Sequence, residues 1–225
     1  MVMSAASLVK DVTAVLQPLA DKERAVAMAA YMQDRFPFLG IQTPSRRKAV
    51  QPLLRAFDGD FLTAADILWH RQEREFQYTA CDLLAFKAKS LTGDQLDFLL
   101  DLAQRKSWWD TVDNLVKVVG SLVQREPALA ARMDELIVHE DFWLRRIALL
   151  HQLGWKEKTD KDRLFRYCLQ QSGENEFFIR KAIGWALRDY AHFAPDVVQR
   201  FLDHNGAVLS PLSRREAGKH LGAAA

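Results

Sequence analysis

The sequence predicts an all-α protein built from short, repeated helical hairpins. Three observations support this fold class: the composition favours helix formers, apolar residues recur at helical spacing, and one motif returns every 32 to 35 residues. The chain contains 30 Leu and 29 Ala but only 6 Ile and 7 Thr, which is typical of helices rather than strands. No Asn-Gly or Asp-Gly pair lies between alternating strand patterns, so hairpins of β-strands are not expected.

Apolar stripes mark the individual helices. In chain order they run through Leu8–Leu19, Ala25–Phe36, Phe61–Leu68, Phe76–Leu84, Leu96–Ala103 and Leu129–Ile137. Glycine and proline predict tight linkers at Pro37–Pro44, Gly59, Gly93, Pro127, Gly154, Gly173, Pro195 and Gly206. The chain should therefore contain about a dozen helices of ordinary length.

Four segments begin with an acidic residue or serine, continue with aromatic residues and lead into an apolar helix. They start at Glu75, Ser107, Asp141 and Glu176, and a fifth helix starts near Ser210. The successive starts are 32, 34, 35 and 34 residues apart, which predicts a HEAT- or armadillo-type solenoid. We expect one domain over residues 1–225, with each starting residue capping a helix that lines a concave face.

Composition and charge exclude several classes of protein. The chain is 49% hydrophobic and 27% charged, which is too apolar for disorder, and its net charge of +2 neither demands nor excludes a polyanionic partner. No apolar run approaches a membrane span of ~20 residues, and the N-terminal segment has no signal-peptide pattern. Cys81 and Cys168 match no disulfide or metal spacing, so we expect a reducing, cytoplasmic location. The six histidines show no ligand spacing, and no phosphate-binding loop, dinucleotide turn or nucleophile elbow is present.

The helix that follows Ser107 has two distinct faces. Its predicted packing stripe consists of Trp108, Val112, Leu115 and Val119. Trp109 and Asp113, four residues apart, share a different face. A packed tryptophan beside a solvated acid is the more common arrangement, but a tryptophan off the apolar stripe is also a candidate for binding.

Basic residues and a further tryptophan fall in the later repeats. The basic residues near these helix starts are Arg145, Arg146, Arg180, Lys181, Arg214 and Arg215. Trp185 follows Lys181 by one helical turn and, taken alone, is more often a core residue. Isolated basic pairs are usually solvated, but basic rows with aromatic residues on one concave face suit a nucleic-acid backbone. The residues alone therefore predict a helical solenoid that binds an anionic polymer.

Six blocks of the sequence resemble the AlkD-type DNA alkylation repair glycosylases. The blocks are Phe38–Arg47, Arg74–Gln77, Lys106–Asp113, Trp143–Arg146, Phe177–Trp185 and Leu209–Glu216. They keep their order and spacing over nearly the whole chain. The resemblance implies HEAT-like repeats whose concave face holds duplex DNA. It also implies hydrolysis of the N-glycosidic bond of cationic alkylpurines, chiefly N3-alkyladenine and N7-alkylguanine, without drawing the base into a pocket.

The resemblance also implies a role for particular residues. Asp113 matches the catalytic carboxylate, and Trp109 and Trp185 match the aromatic residues that pack against the sugar of the damaged nucleotide. Arg146 matches the arginine that holds the lesion strand. Tyr31 and Gln42 match N-terminal residues that approach the DNA. Independently of the resemblance, their positions in helix first turns make Arg180, Lys181, Arg214 and Arg215 expected phosphate contacts. Lys106 and Lys181 are expected to be either phosphate contacts or plain surface. The expected protein is a monomer without metal or cofactor, and the alternative is a non-catalytic HEAT scaffold that binds DNA structure or a protein.

The implied chemistry needs few groups. Alkylation at N3 or N7 leaves a cationic base that departs without protonation by a general acid. A carboxylate can then stabilise the positive charge that develops on the deoxyribose and can position the attacking water. Tryptophan faces add cation–π attraction for the same charge. Hydrolysis makes no Schiff base, so no lysine is required as a nucleophile.

Overall fold

The computed structural model describes residues 3–221, which form helices and no strand. Thirteen α-helices occur within these residues, and short 3₁₀ turns connect several of them. Their bounds are α1 Ala5–Leu16, α2 Lys22–Tyr31, α3 Thr43–Ala56, α4 Phe61–His70, α5 Arg74–Phe86, α6 Leu96–Gln104, α7 Trp109–Arg125, α8 Ala130–Leu136, α9 Phe142–Leu150, α10 Lys161–Gln170, α11 Phe177–Ala191, α12 Pro195–Asn205 and α13 Pro211–Ala217. The predicted all-α class is confirmed.

Three of the five repeated starting residues cap their helices as the sequence predicts. The Asp141 carboxylate accepts a hydrogen bond from the Trp143 amide, and the Glu176 carboxylate accepts one from the Phe178 amide. The Ser210 hydroxyl accepts from the amide of Ser213. These side chains satisfy amide groups that have no partner inside the first helical turn, which fixes where α9, α11 and α13 begin.

The capping prediction is wrong for the other two starting residues. Glu75 lies inside α5, and its buried carboxylate binds backbone amides of a distant loop instead of the first turn of its own helix. Ser107 is displaced by one position, because Trp108 occupies the residue before α7 and caps nothing with its side chain. For Glu75, a tertiary contact rather than the local helix end determines the orientation of the side chain.

The apolar stripe predicted over Ala25–Phe36 overestimates its helix. α2 ends at Tyr31, because Gln33 and Asp34 adopt left-handed backbone angles with φ of 58° and 55°. None of the residues inside α2 is fully buried, whereas Met32 just beyond it is. The sequence also did not mark α3, which continues through Pro52.

The chain divides into two compact units that meet in sequence between Leu91 and Thr92. In the first unit, α1 packs on α3 and α4, and α5 packs on the same two helices. In the second unit, α7 packs on α9, α9 on α11 and α11 on α13, while α6, α8 and α12 lie beside α7, α9 and α11. Alternate helices thus stack in sequence order in the second unit, which is the arrangement expected of helical repeats.

The core explains this close stacking. The predicted stripe of α7, from Trp108 to Val119, is buried as expected. Gly184 allows α11 to approach α13, since a Cβ at this position would lie 2.4 Å from the Cβ of Glu216. The contact brings the backbone of α13 directly beside the helix that carries Trp185. Within residues 3–221, no helix has the length and apolar character needed to cross a membrane.

Candidate active site

The centre of the candidate site is an ion pair between α7 and α9. The Nε and Nη2 atoms of Arg146 donate to Oδ1 and Oδ2 of Asp113, each at 2.8 Å. The Arg146 side chain is 5% exposed and that of Asp113 is 19% exposed. This two-point pairing fixes the carboxylate in one orientation, with the guanidinium on its buried side.

The same arginine also binds α11. Its Nη1 atom donates to the backbone carbonyl oxygen of Phe178 at 2.5 Å. Phe178 lies in the first turn of α11, where its carbonyl is held by the helix. Arg146 therefore connects α7, α9 and α11, and its position depends on all three helices.

Aromatic rings lie beside this ion pair. The guanidinium carbon of Arg146 lies 5.9 Å from the ring centre of Trp185 and 5.9 Å from that of Phe178. Trp109 lies one turn before Asp113 on the same face of α7, and both tryptophans are half-buried. The structure thus brings Asp113 and Trp185 together through Arg146, and Trp109 adjoins them on the helix that carries the carboxylate.

A buried aromatic cluster supports the site. The ring centre of Trp108 lies 5.8 Å from that of Trp143 and 5.1 Å from that of Phe178, and the last two rings are 4.9 Å apart. These edge-on and tilted contacts link the starts of α7, α9 and α11. The cluster therefore holds together the helices that carry Asp113, Arg146 and Trp185.

The structure gives Arg146 a different environment from the one that the sequence suggested. The residue is 4% exposed, and three of its nitrogen atoms donate to Asp113 or Phe178. Its observed contacts are those of a residue that positions the carboxylate. A direct contact between Arg146 and the lesion strand stays a prediction.

Two of the other basic residues are bound within the protein. Arg180 donates to the backbone oxygen of Glu174 and to the side chain of Asn175. Lys181 lies 3.0 Å from a carboxylate oxygen of Glu216. A phosphate would have to compete with these partners, so Arg180 and Lys181 are not preformed anion sites.

Glu216 on α13 pairs with three cations, two on α11 and one in the turn after α13. Besides Lys181, it pairs with Arg188 at 2.8 Å and with Lys219 at 2.9 Å, and its side chain is 7% exposed. The hydrogen bond from Lys219, with those charges, lowers the pKa of Glu216 to about 2, against the opposing effect of burial. Glu216 is therefore an ionised hub that neutralises part of the predicted basic row.

Arg214 and Arg215 remain the most available cations of the predicted set. Both are exposed on α13, and neither side chain makes a hydrogen bond or ion pair with any residue in the described part of the chain. Lys106 is half-buried in the turn before α7, where its φ is 52°. Tyr31 and Gln42 lie in the first unit, at the end of α2 and the start of α3, and both are exposed.

Sequence reasoning missed the role of two residues. Glu75 and Phe178 each lie in a recognised block, but neither was assigned a function. Glu75 organises the loop before Gln42, and Phe178 supplies the carbonyl that holds Arg146. No sequence pattern identifies this role of Glu75, because its partners are backbone amides of a distant loop. Among residues 3–221, no three His, Cys, Asp or Glu side chains converge in a way that could hold a metal ion.

Comparisons with known proteins identify related chains. A predicted DNA alkylation repair enzyme from Enterococcus faecalis is 34% identical, with a TM-score of 0.84 over 91% of this chain and 98% of that one. AlkD2 from Streptococcus mutans has a TM-score of 0.60 at 20% identity over 75% and 85% of the two chains. The protein smu.31 from Streptococcus mutans UA159 has a TM-score of 0.58 at 18% identity over 74% and 86%.

The last two of these structures share the fold with this chain. No curated protein matches it. The family model described as DNA alkylation repair enzyme matches residues 12–221. The chain therefore belongs to the DNA alkylation repair enzyme family, which gives it a role in the repair of alkylated DNA.

Proposed function

We propose that this protein is a DNA glycosylase that hydrolyses the N-glycosidic bond of cationic N3- and N7-alkylpurines in duplex DNA. The observation that carries the proposal is the Asp113 carboxylate, held at two points by Arg146 beside the ring of Trp185. Membership of a DNA alkylation repair family supplies the class of substrate.

The proposed reaction breaks the bond between C1′ of the deoxyribose and the alkylated base. The bonding electrons leave with the base and neutralise its positive charge, so no general acid is needed. Positive charge develops on the sugar, where the Asp113 carboxylate stabilises it. Water then adds to C1′ and releases a proton, which leaves an abasic site and the free base. The faces of Trp109 and Trp185 contribute cation–π attraction to the same charge.

The ion pair suits this task because its charges are unequally exposed. Arg146 lies on the buried side, and the more exposed Asp113 carries the negative end of the pair toward solvent. The arginine engages one lone pair on each carboxylate oxygen, which leaves lone pairs that can orient a water molecule. Arg146 thus fixes the carboxylate before DNA binds, and this lowers the reorganisation needed at the moment of reaction.

DNA binding itself is assigned to the exposed cations. Arg214 and Arg215 on α13 are the strongest candidates for phosphate contacts, and the half-buried Lys106 in the turn before α7 is a further one. Arg180 and Lys181 contribute after they exchange their internal partners for phosphate. We propose a monomeric protein that acts in the cytoplasm without metal or cofactor.

The proposal is tested with a duplex oligonucleotide that contains one N7-methylguanine. Wild-type protein at saturating concentration should release free N7-methylguanine, detected by chromatography, well above the rate of spontaneous depurination. An otherwise identical unmodified duplex should release no guanine. Tight binding to both duplexes without release above the spontaneous rate would contradict the glycosylase proposal and favour the non-catalytic scaffold.

A further inference from the structure

A second candidate site lies in the first unit, and none of its lining residues belongs to the proposed catalytic set. It is a cavity of about 260 Å³ between α2, the loop before α3, and α5. Met32 and Phe38 are buried, Met28 and Tyr78 are half-buried, and Gln42 is exposed. We call this cavity the base pocket.

The base pocket is preformed. Its wall includes the loop that carries Phe38 and Gln42, and the carboxylate of Glu75 holds this loop. That carboxylate accepts hydrogen bonds from the amides of Leu39, Gly40 and Ile41 at 2.9, 2.9 and 3.0 Å, and Glu75 is completely buried. A ligand would therefore not have to order the wall, which removes a large part of the usual cost of binding.

Gly40 shows how closely this loop is fitted. Its φ is +84°, and a Cβ at this position would lie 2.0 Å from the carbonyl oxygen of Asp21. The amide of Asp21 in turn donates to the carbonyl oxygen of Leu39 at 2.8 Å. The start of α2 and the loop are thus held together, and the two sides of the base pocket keep a fixed separation.

The lining of the base pocket suits a flat ring with polar edges. The rings of Phe38 and Tyr78 have centres 6.4 Å apart, and two methionine side chains supply soft, polarizable surface. The volume lies just below the roughly 300–1,000 Å³ typical of sites for drug-sized ligands, which favours a single ring system. The amide of Gln42 both donates and accepts hydrogen bonds, so it can read the edge of a heterocycle.

A cation lies beside this lining. Arg24 also borders the base pocket, and its Nε atom is fixed by Asp21 at 2.8 Å. Within residues 3–221, no hydrogen bond or ion pair engages the two terminal amino groups of Arg24. A ligand that places a flat ring in the cavity and a phosphate on the Arg24 guanidinium has the two parts of a nucleotide.

We propose that the base pocket binds one unstacked nucleobase of DNA, with Arg24 near its phosphate. The proposal rests on DNA binding as part of the proposed function and extends it to a second contact in the first unit. The ligand is a base that is already unpaired, because stacking on aromatic and thioether groups can then replace the stacking it lacks in the duplex.

The experiment compares two duplexes without alkylation, one fully paired and one with a single bulged 2-aminopurine. Wild-type protein should bind the bulged duplex more tightly, by about 5- to 100-fold for the stacking of one base. Ala27→Phe places a ring at the lining of the base pocket and should abolish this preference. Val26→Phe is the matched control, because Val26 is 71% exposed on the same helix and does not line the base pocket.

Each outcome decides the proposal. Loss of the preference in Ala27→Phe but not in Val26→Phe supports the base pocket. Equal affinity of the wild type for both duplexes, or an unchanged preference in Ala27→Phe, overturns it. Ala27→Leu serves as a smaller filler if Ala27→Phe does not fold. Release of N7-methylguanine from a paired duplex by the same variants reports separately on the proposed glycosylase function.

Discussion

Replacement of Arg146 by methionine should destabilise the fold by about 3 kcal/mol. The change removes both hydrogen bonds to Asp113 and the one to the Phe178 carbonyl while it keeps most of the side-chain volume. Breaking a fully buried ion pair costs roughly 3–5 kcal/mol, because the remaining charge is left unpaired. Asp113 is 19% exposed and regains some hydration, which places the expected loss at the lower end of that range.

The coupling between the two residues is measured by a double-mutant cycle with Arg146→Met and Asp113→Leu. Urea denaturation, followed by circular dichroism, gives the free energy of unfolding of each variant, and equal m-values confirm that the variants unfold comparably. The double variant leaves no charge unpaired. Its loss in free energy of unfolding should therefore be smaller than the sum of the losses of the two single variants. We expect a coupling energy of about 1–3 kcal/mol.

The exposed pair of Arg132 and Glu135 provides the control for this cycle. Their side chains are 43% and 63% exposed, so the same cycle with Arg132→Met and Glu135→Leu should give less than about 1 kcal/mol. A coupling energy at the central pair no larger than that of the exposed pair would refute the reasoning. It would mean that the two-point contact does not hold the carboxylate.

Three further predictions follow from other parts of the structure. Burial lowers the pKa of His151 from 6.5 to about 4. As the pH falls, the imidazole is therefore protonated in the unfolded chain before it is protonated in the folded protein. The free energy of unfolding should fall by about 3 kcal/mol between pH 6.5 and pH 4. His151→Asn should remove most of that slope in denaturation measured across this range, and an unchanged slope would contradict the assignment. Gly184→Ala should destabilise the protein by about 1–3 kcal/mol by displacing α13, whereas Gly218→Ala, whose Cβ meets no atom within 4 Å, should be neutral in the same assay. Replacement of Arg214 and Arg215 by glutamine should weaken binding to damaged and undamaged duplexes equally and flatten the dependence of affinity on salt, and selective loss of lesion binding would show that they are not phosphate contacts.

Local signals in the sequence predicted the helices well. The stripe of α7 and the caps at Asp141, Glu176 and Ser210 depend on residues within a few positions of one another. The end of α2 was harder, because Gln33 and Asp34 adopt left-handed angles that their residue types allow but do not require. The apolar residues keep helical spacing as far as Phe36, but the backbone leaves the helix after Tyr31.

Most of the side-chain contacts that the sequence did not predict join residues about one repeat apart. Asp113 and Arg146 are 33 residues apart, and Glu216 follows Lys181 by 35. Such residues occupy comparable positions in successive helices, so the repeat length predicts that they are neighbours. It does not say whether a cation will face a neighbouring acid or solvent. The sequence therefore predicts a free surface for the row of basic residues, although Glu216 neutralises part of it.

The contacts of Glu75 show a second limit. Its partners are the amides of Leu39, Gly40 and Ile41, which lie 34 to 36 residues earlier in the chain. Backbone amides have no sequence signature, so no residue pattern announces that a loop will present three of them to one carboxylate. The sequence predicted a linker at Pro37–Pro44, but it did not predict that Glu75 fixes the conformation of this loop.

The rate of base release by Asp113→Asn tests the central claim most directly. The measurement is single-turnover release of N7-methylguanine from a duplex at saturating protein, with Asp162→Asn, an exposed acid on α10, as the matched control. The account predicts that Asp113→Asn slows release by roughly 10²–10³-fold while its affinity for the duplex hardly changes, because the carboxylate acts on charge that develops only as the bond breaks. A correctly folded Asp113→Asn protein that releases the base at the wild-type rate would contradict the account and remove Asp113 from the mechanism.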